Sequence, residues 1–228
     1  MAPEALVITV DGPAASGKGT LARKLAETLD LPHLDTGRLY RAVGAAVLAA
    51  GGDPSNAEEA EAAARALDPA RVGGAPLDDP ALGSEAVARA ASVVAAIPAV
   101  RTALLAFQRR FAGGPVGAVL DGRDTGTVVC PQATVKFFLT ATAEERARRR
   151  HDELRGRGEA SIYAQVLAGI IERDRRDRTR AVAPLEPASD AVVIDTTRLD
   201  AAAVFETALA ALRARAALPA GAKGSPSA

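Results

Sequence analysis

Residues 5–20 read ALVITVDGPAASGKGT, and this stretch decides the fold. Its first part, residues 5–10, is apolar and rich in β-branched side chains, which predicts a short buried strand of a parallel sheet. Residues 12–19 form a glycine-rich turn, and an amphipathic helical pattern follows over residues 18–29. A glycine-rich turn between a strand and a helix is the context that a phosphate-binding loop (P-loop) requires.

The turn supplies both backbone donors and a cation for an anionic ligand. We expect nine residues to line the phosphates of ATP: Gly12, Pro13, Ala14, Ala15, Ser16, Gly17, Lys18, Gly19 and Thr20. Lys18 adds a mobile positive charge for the β- and γ-phosphates. The motif departs from G-x-x-x-x-G-K-[ST] because Gly19 follows the lysine and the hydroxyl comes one residue later, at Thr20. We therefore expect Mg²⁺ to be held mostly by phosphates and waters rather than by direct protein ligands.

Strand-like and helix-like segments alternate along the rest of the chain. Further strands are predicted at 32–34, 116–120, 135–139 and 191–194. Helices are predicted at 36–50 with Thr36 as N-cap, at 58–67, 84–97, 98–112 and 161–178, from a T-x-x-E capping box at 142–145 to about 156, and at 201–217. The alternation predicts an α/β fold with a five-stranded parallel sheet of the P-loop NTPase type and helices on both faces. The site should lie at the carboxyl ends of the strands.

Domain organisation and composition exclude several functional classes. We expect one domain over residues 1–217 and a disordered tail at 218–228. The net charge is zero, with 28 basic and 28 acidic residues, which argues against a nucleic-acid partner. The single cysteine, Cys130, excludes an internal disulfide. The two histidines stand far apart in sequence, which argues against a histidine-rich metal site. No apolar run approaches the ~20 residues of a membrane span and no signal-peptide pattern is seen, so a cytoplasmic protein without membrane contact is expected.

Arginines are concentrated in the second half of the chain. They are Arg123, Arg146, Arg148, Arg149, Arg150, Arg155 and Arg157, followed by the run ERDRRDRTR at 172–180. Fixed guanidinium groups stabilise the negative charge that develops on a transferred phosphoryl group. The alternative is a solvated helix face with i,i+4 ion pairs, a spacing that Arg173–Asp177 and Asp174–Arg178 fit. Two readings also stand for Asp11 and Asp121, which follow predicted strands: they order Mg²⁺ waters, or they cap tight turns.

Several segments together resemble the bacterial cytidylate kinases, a family of P-loop nucleoside monophosphate kinases. They are ITVDGPAASGKGTLARKLAE at 8–27, LDTGRLYR at 34–41, ASVVAAIPAVRTAL at 91–104, LDGRDTGTVVCPQATVKFFLTA at 120–141 and ERDRRDRTRAVAPL at 172–185. DGRD-x-GTVV combined with RDRxRAVAPL is specific to this family, whereas the P-loop alone is not. The resemblance implies transfer of the ATP γ-phosphate to CMP or dCMP, with Mg²⁺, by a monomer whose partners are small nucleotides.

The same resemblance assigns roles to residues in the matching motifs. It implies that Thr36, Arg41 and Arg123 bind the acceptor phosphate. It implies that Ser92, Arg101 and Asp124 contact the hydrogen-bonding edge of cytosine. Arg173 and Asp177 are expected to contact the acceptor ribose and phosphate, with Arg180 close by. For the donor side we name Arg149 and Arg157, which makes the expected catalytic set Lys18, Arg123, Arg149, Arg157 and Arg173. Cytosine offers an amino donor that Asp124 can accept and ring acceptors to which Arg101 can donate.

The chain departs from the family in the segment that should cover the acceptor. An acceptor-binding insert is expected at about 54–98 and a mobile lid at about 146–172. Similar enzymes carry a partly β lobe with an I-R-[ST]-type segment. Here residues 68–83 are short and strand-poor, and Ser84-Glu85 stand where the Arg-[Ser/Thr] of that segment would be. Two alternatives therefore stay open: a P-loop kinase for UMP or another small acceptor, and a non-catalytic nucleotide-sensing module.

Overall fold

A single parallel sheet organises the protein. The computed structural model describes residues 5–67 and 80–216, so the predicted tail and most of the 68–83 segment lie outside the described residues. Five strands pair in the order β2-β3-β1-β4-β5, and every pairing is parallel. The strands are β1 Leu6–Asp11, β2 His33–Asp35, β3 Gly117–Gly122, β4 Val135–Thr140 and β5 Val192–Asp195. The predicted fold class and strand number are confirmed.

The helices lie close to their predicted positions. In the described part of the chain they are α1 Lys18–Leu29, α2 Thr36–Ala49, α3 Ala57–Ala66, α4 Glu85–Val94, α5 Pro98–Ala112, α6 Ala143–Gly156, α7 Tyr163–Thr179 and α8 Ala201–Ala216. The predicted bounds of α1 agree with the structure to the residue. A 3₁₀ turn at Pro80–Gly83 and a π-helical turn at Thr125–Val129 were not predicted.

Helices cover both faces of the sheet because its strands are apolar on both sides. On β3, Ala118 and Leu120 join a core with α2–α5, whereas Val119 points to the opposite core with α1 and α8. Phe137 on β4 is 1% exposed in that second core. Burying side chains of this size contributes roughly 1.5–3 kcal/mol each. The two cores fix the strand ends, and therefore the loops that follow them.

Two predicted helix starts differ in detail from the structure. Asp35 occupies the N-cap position of α2, and Thr36 is the first helical residue, so the prediction that Thr36 is the N-cap is wrong. Its hydroxyl instead donates to the backbone oxygen of Asp121 at 2.8 Å. At α6 the predicted cap is half formed: Thr142 Oγ1 accepts from the backbone N–H of Glu145 at 3.3 Å, while the Glu145 carboxylate turns to Arg149 at 2.8 Å. Ion pairing competes successfully with the reciprocal capping bond.

Within residues 5–67 and 80–216, no single helix is long and apolar enough to cross a bilayer. Only α4 and α5 taken together satisfy the length and hydropathy criteria, and they are bent by 97°.

Candidate functional site

The turn between β1 and α1 is shaped to hold an anion. Ala15 and Gly17 both adopt left-handed backbone conformations, with φ of 58° and 90°. Alternation of this kind directs successive N–H groups toward one concave side. The N-terminus of α1 has no side-chain cap, which leaves its first N–H groups for a ligand. Gly12, with φ of 149°, passes so close to β4 that an added Cβ would lie 2.2 Å from the Leu139 oxygen.

The outer side of the same loop is fastened by side chains from distant elements. Arg146 on α6 donates to the backbone oxygen of Ala14 at 3.3 Å. Thr196, after β5, donates to the oxygen of Ser16 at 3.0 Å. Ser16 Oγ is buried without a hydrogen-bond partner, an arrangement typical of a position that a ligand completes. With carbonyls held outside and donors inside, the residues present fit a polyphosphate.

Lys18 begins α1 and faces a mixed electrostatic environment. Burial, and to a smaller extent Arg123, lower the pKa of its ammonium group to about 8, although Asp121 and Asp35 oppose the shift. A lysine in this condition gains most from an incoming phosphate, since the phosphate replaces its lost solvation. Lys18 is therefore a buried cation that an anionic ligand would stabilise.

The pKa of Lys18 predicts how ATP binding depends on pH. Below about pH 8 the ammonium group of Lys18 is charged in the free protein. Above this pH, ATP binding must be accompanied by uptake of a proton on Lys18. The Kd for ATP should therefore increase with pH, with a slope that approaches about a factor of ten per pH unit. The measurement is Kd by titration calorimetry between about pH 7.5 and 9.5, where the triphosphate is already ionised. Lys18→Met, measured in parallel, should bind ATP weakly, and its Kd should not increase with pH over this range. A wild-type Kd that stays constant to the top of this range would contradict the prediction.

Two carboxylates lie beside Lys18 at the ends of neighbouring strands. Asp35 and Asp121 are register partners on β2 and β3. Asp121 Oδ1 contacts His33 Nε2 at 2.8 Å, and its Oδ2 faces the P-loop at Gly19. Burial and Asp121 together raise the pKa of Asp35, while Lys18 opposes them. These oxygens lie where the waters of a phosphate-bound Mg²⁺ could be ordered.

Asp11 serves a different purpose. Its carboxylate accepts from the Thr125 N–H at 2.9 Å, the Thr125 hydroxyl at 2.8 Å and the Gly126 N–H at 2.7 Å. Burial raises the pKa of Asp11 to about 6, against the effect of these bonds. The structure thus gives Asp11 the turn-capping role, one of the two readings of the sequence. Within the described ranges, no group of three or more His, Cys, Asp or Glu side chains has the arrangement of a direct metal site.

A cleft of about 1080 Å³ opens beside the P-loop. It is bordered by Ser16, Thr20, Arg149 and the segment 196–202 after β5. Arg149 is held there by Thr196, whose hydroxyl accepts at 3.0 Å, and by Glu145 at 2.8 Å. The cleft continues the anion cradle outward, as expected for the nucleoside part of a donor nucleotide. Arg149 therefore lies in the cleft that would hold the donor nucleoside, and its donor-side role stays a prediction.

Arg157 lies apart from this cleft. It follows α6, pairs with Glu153 and has a 47% exposed side chain. Its guanidinium lies 3.1 Å from the Cβ position of Gly83, in the turn before α4. The structure does not bring Arg157 together with the donor-side residues, and its donor role stays a prediction.

A cluster of guanidinium groups lies across the P-loop from the cleft. Arg123 donates to Asp177 at 3.0 Å, and Arg173 lies 4.0 Å from the same carboxylate. Arg173 Nε is buried without a hydrogen-bond partner, and burial lowers the pKa of Arg173 to about 10, with Arg123 and Arg41 nearby. Arg41 donates to the Leu82 oxygen at 2.6 Å. Three guanidinium groups around one carboxylate, with Arg173 Nε left without a partner, are typical of an anion site.

The ion pairs Arg173–Asp177 and Asp174–Arg178 form as their spacing predicts, the second at 3.8 Å. Although burial opposes ionisation, Arg123, Arg173 and Arg180 hold the pKa of Asp177 below its ordinary value. The helix-face reading of the arginine run is thus correct for part of α7. It coexists with the cluster, because one side of α7 faces solvent and the other faces the site.

The expected base-reading residues Ser92, Arg101 and Asp124 are all buried, and Arg101 pairs directly with Asp124. Asp124 pairs with Arg101 and also with Arg180, whose Nη2 lies 3.3 Å from Asp124 Oδ1. Ser92 Oγ accepts from Arg176 at 2.8 Å. The Arg101 guanidinium stacks over Tyr40 at 5.6 Å from the ring centroid. A carboxylate oxygen has two lone pairs, so Asp124 can accept from a ligand amino group while keeping an arginine.

Sequence reasoning missed Arg146, Thr196, Tyr40 and Arg176 as site components. Arg146 is 2% exposed and grips Asp174 of α7 with bonds of 3.0 and 2.7 Å, so it links α6, α7 and the P-loop. It was counted among the arginines without a distinct role. The one sequence signal that could have identified Arg146 as a buried residue of the site is its position four residues after Thr142, on the inner side of α6.

Comparison with known proteins agrees with this geometry. The family model described as cytidylate kinase matches residues 8–214. The chain belongs to the cytidylate kinase family. A cytidylate kinase from Methylobacterium sp. (strain 4-46) is 60% identical over 210 residues, covering 92% of this chain and 98% of the relative. One from Methylocella silvestris is 59% identical over 204 residues, covering 90% and 92%.

A solved structure shares the fold at much lower sequence similarity. The crystal structure of an uncharacterized protein from Eubacterium ventriosum ATCC 27560 aligns with a TM-score of 0.55 and 13% identity, covering 92% of this chain and 99% of that chain. This likeness supports the α/β architecture of the cytidylate kinase chain.

Proposed function

We propose that this member of the cytidylate kinase family transfers the γ-phosphate of ATP to CMP or dCMP, giving ADP and CDP or dCDP. The observation that carries the proposal is the Asp124 carboxylate, buried between Arg101 and Arg180 beside the guanidinium cluster. This pocket matches the hydrogen-bonding edge of cytosine, and the cluster matches a monophosphate attached to it.

In the proposed mechanism the chain supplies position and charge. The P-loop N–H groups and Lys18 hold the β- and γ-phosphates, and Arg41, Arg123 and Arg173 hold the acceptor phosphate. An oxygen of the acceptor phosphate forms the new bond to the γ-phosphorus, while the bond to the β,γ-bridging oxygen breaks and ADP leaves. The charge that spreads over the transferred group meets fixed cations from both sides, so no covalent enzyme intermediate is needed.

Mg²⁺, when bound, would neutralise part of the phosphate charge. Asp121 and Asp35 are the residues proposed to hold its waters, since Gly19 provides no hydroxyl. Asp11, engaged with the Thr125–Val129 turn, is left out of this role. Thr36 remains proposed for the acceptor phosphate: its hydroxyl, which donates to the backbone oxygen of Asp121, would turn to donate to a phosphate oxygen instead.

The proposal includes an insert at about 54–98 and a lid at about 146–172 that close over the bound nucleotides. Closure would exclude water and suppress hydrolysis of ATP. Residues 146–172 comprise most of α6, the following connection and the first part of α7. A monomer in the cytoplasm, where ATP and nucleoside monophosphates are available, completes the proposal.

The experiment that tests this function is ADP release by purified protein with Mg-ATP and a panel of acceptors. The panel contains CMP, dCMP, UMP, AMP, GMP and shikimate, with a control lacking acceptor. Turnover confined to CMP and dCMP is expected. Turnover mainly on UMP or AMP would support the kinase activity but refute the base-reading role of Asp124. Tight ATP binding with no turnover on any acceptor would favour the nucleotide-sensing alternative.

A further inference from the structure

The last residue of β1, Asp11, is connected to two parts of the candidate site. The residue after it, Gly12, begins the P-loop. Its side chain reaches to the turn that follows Asp124, where the carboxylate accepts from the N–H and hydroxyl of Thr125 and from the N–H of Gly126. One residue therefore joins the phosphate-binding loop, through the main chain, to the start of the Thr125–Val129 turn, through three hydrogen bonds.

Two glycines let this turn lie directly against the end of the sheet. A Cβ added at Gly126 would lie 2.8 Å from Thr9 Oγ1 and 3.4 Å from Asp11 Oδ2. A Cβ added at Gly122, just before the turn, would lie 2.8 Å from the methyl carbon of Thr125. Separations under 3.0 Å leave no room for a side chain at either glycine, so the turn is closely confined between its neighbours.

The far end of the turn is held as well. Arg109 on α5 donates to the backbone oxygens of Val128 and Val129 at 3.0 and 3.2 Å. Within the turn, the backbone oxygen of Asp124 accepts from the N–H groups of Val128 and Val129 at 2.9 and 3.2 Å. The main chain at Asp124 is therefore tied to a turn that Asp11 holds at its first residues and Arg109 holds at its last.

The Asp11 carboxylate constrains the turn without adding stability to the fold. Burial raises its pKa from 3.8 to about 6, although the three hydrogen bonds oppose the rise, and the neighbouring Asp124 carboxylate adds to it. Because the folded chain holds this proton more tightly than the unfolded chain, ionisation of Asp11 costs stability at neutral pH. The three donors around the carboxylate are therefore better explained by the position that they impose on the turn.

We propose that Asp11 is a positioning residue for the acceptor base, which fixes Asp124 relative to the P-loop. The inference rests on the proposed function. In-line transfer requires the acceptor phosphate at a set distance from the γ-phosphate, and the acceptor is held by its base as well as by its phosphate. Arg101 and Arg180 hold the side chain of Asp124, whereas Asp11 acts on its main chain. Both nucleotides are thus placed relative to the end of the same strand, β1.

The main test is Asp11→Asn, with Thr9→Val as the matched control on the same strand. The asparagine would turn an amide donor toward one of the N–H groups of the turn and displace it at nearly constant volume. We expect KM for CMP to rise about tenfold or more and the preference for CMP over UMP to narrow about threefold or more. The Kd for ATP, measured by calorimetry, should change less than about threefold. Thr9 is buried with a hydroxyl that has no hydrogen-bond partner, so Thr9→Val should stay within about twofold of the wild type.

Thr125→Val and Thr125→Ser provide a second test that does not depend on the folding of Asp11→Asn. Valine keeps the shape of the side chain but loses the hydroxyl that donates to Asp11, whereas serine keeps the hydroxyl. We expect Thr125→Val to raise KM for CMP about threefold and to narrow the preference for CMP over UMP. Thr125→Ser should lie closer to the wild type in both quantities. A purely structural role would lower the melting temperature but leave the base preference unchanged.

The outcomes separate this inference from the proposed function. A wild type active on CMP, with a folded Asp11→Asn of unchanged KM and base preference, would overturn the positioning role alone. Equal losses of affinity for ATP and CMP would show a general disturbance of the P-loop and would overturn it as well. If Asp11→Asn does not fold, equal KM values and base preferences in the two Thr125 variants would decide against it. A wild type silent on CMP would remove the proposed function and the positioning role together.

Discussion

Lys18→Met is expected to lower kcat by about 10³-fold while the protein remains folded. Lys18 begins α1 beside Asp121, Asp35 and Arg123, next to the loop where the phosphates are proposed to bind, and its charge matters most as negative charge shifts during transfer. The methionine side chain can retain the packing of the lysine stem. Burial and Arg123 already lower the pKa of Lys18 to about 8, so loss of its charge relieves repulsion in the empty site. We therefore expect a melting temperature equal to or above that of the wild type.

The matched control is Arg110→Met, which removes a positive charge from an exposed position near the end of α5. It should leave kcat within about twofold of the wild type. Steady-state kinetics at saturating Mg-ATP and CMP, with circular dichroism melts, provide the measurements. Near-normal turnover by a folded Lys18→Met variant would refute the placement of Lys18 at the transferred phosphate.

Asp124→Asn is expected to lower kcat/KM for CMP about 10²–10³-fold with little change in Kd for ATP. The amide keeps the shape of the carboxylate but presents a donor where cytosine presents its amino group. Uracil has a carbonyl at that position, so the preference for CMP over UMP should narrow by about tenfold or more. The measurements are kcat/KM for both acceptors and calorimetric binding of ATP.

The same substitution has a cost in stability that must be separated from the kinetic effect. Arg101 and Arg180 lose the counter-ion they share in a buried pocket, which should lower the free energy of unfolding by about 3 kcal/mol. Kinetics should therefore be measured well below the melting temperature of the variant. Asp152→Asn, an exposed acid paired with Arg148 on α6, is the control for loss of a surface carboxylate. Unchanged CMP kinetics in a folded Asp124→Asn would refute base reading by Asp124.

The fold was largely predictable because its signals are local. The P-loop stretch sets β1, the turn and α1 within about 25 residues of sequence, and the apolar runs at 116–120 and 135–139 identify two of its neighbouring strands. The Thr125–Val129 turn was missed for a physical reason. It has no periodicity of its own, and it is held by three bonds to Asp11, a residue 114 positions away.

In the candidate site, too, contacts within one helix were predictable from sequence, whereas contacts between separate elements were not. Spacing alone predicts Arg173–Asp177, since residues four apart on a helix are neighbours. No spacing rule brings Arg101 to Asp124 or Arg146 to Asp174, because these pairs depend on how separate elements pack; the first pair was expected only through the family resemblance. Competition for partners is also invisible in sequence: Asp174 lies 3.8 Å from Arg178, as predicted, yet it is held more closely by Arg146 at 2.7 Å.

The stacking of Arg101 on Tyr40 has a practical consequence. The chain contains no tryptophan and only two tyrosines, so its tyrosine fluorescence comes from Tyr40 and Tyr163, and phenylalanine adds only a weak emission at shorter wavelength. Tyr40 is buried beneath Arg101, which is proposed to read the base, while Tyr163 packs edge-on against His151 where α7 begins. Tyr163→Phe would leave Tyr40 as the one tyrosine, inside the proposed acceptor pocket. The unlabelled protein would then report occupancy of that pocket optically, independently of any turnover.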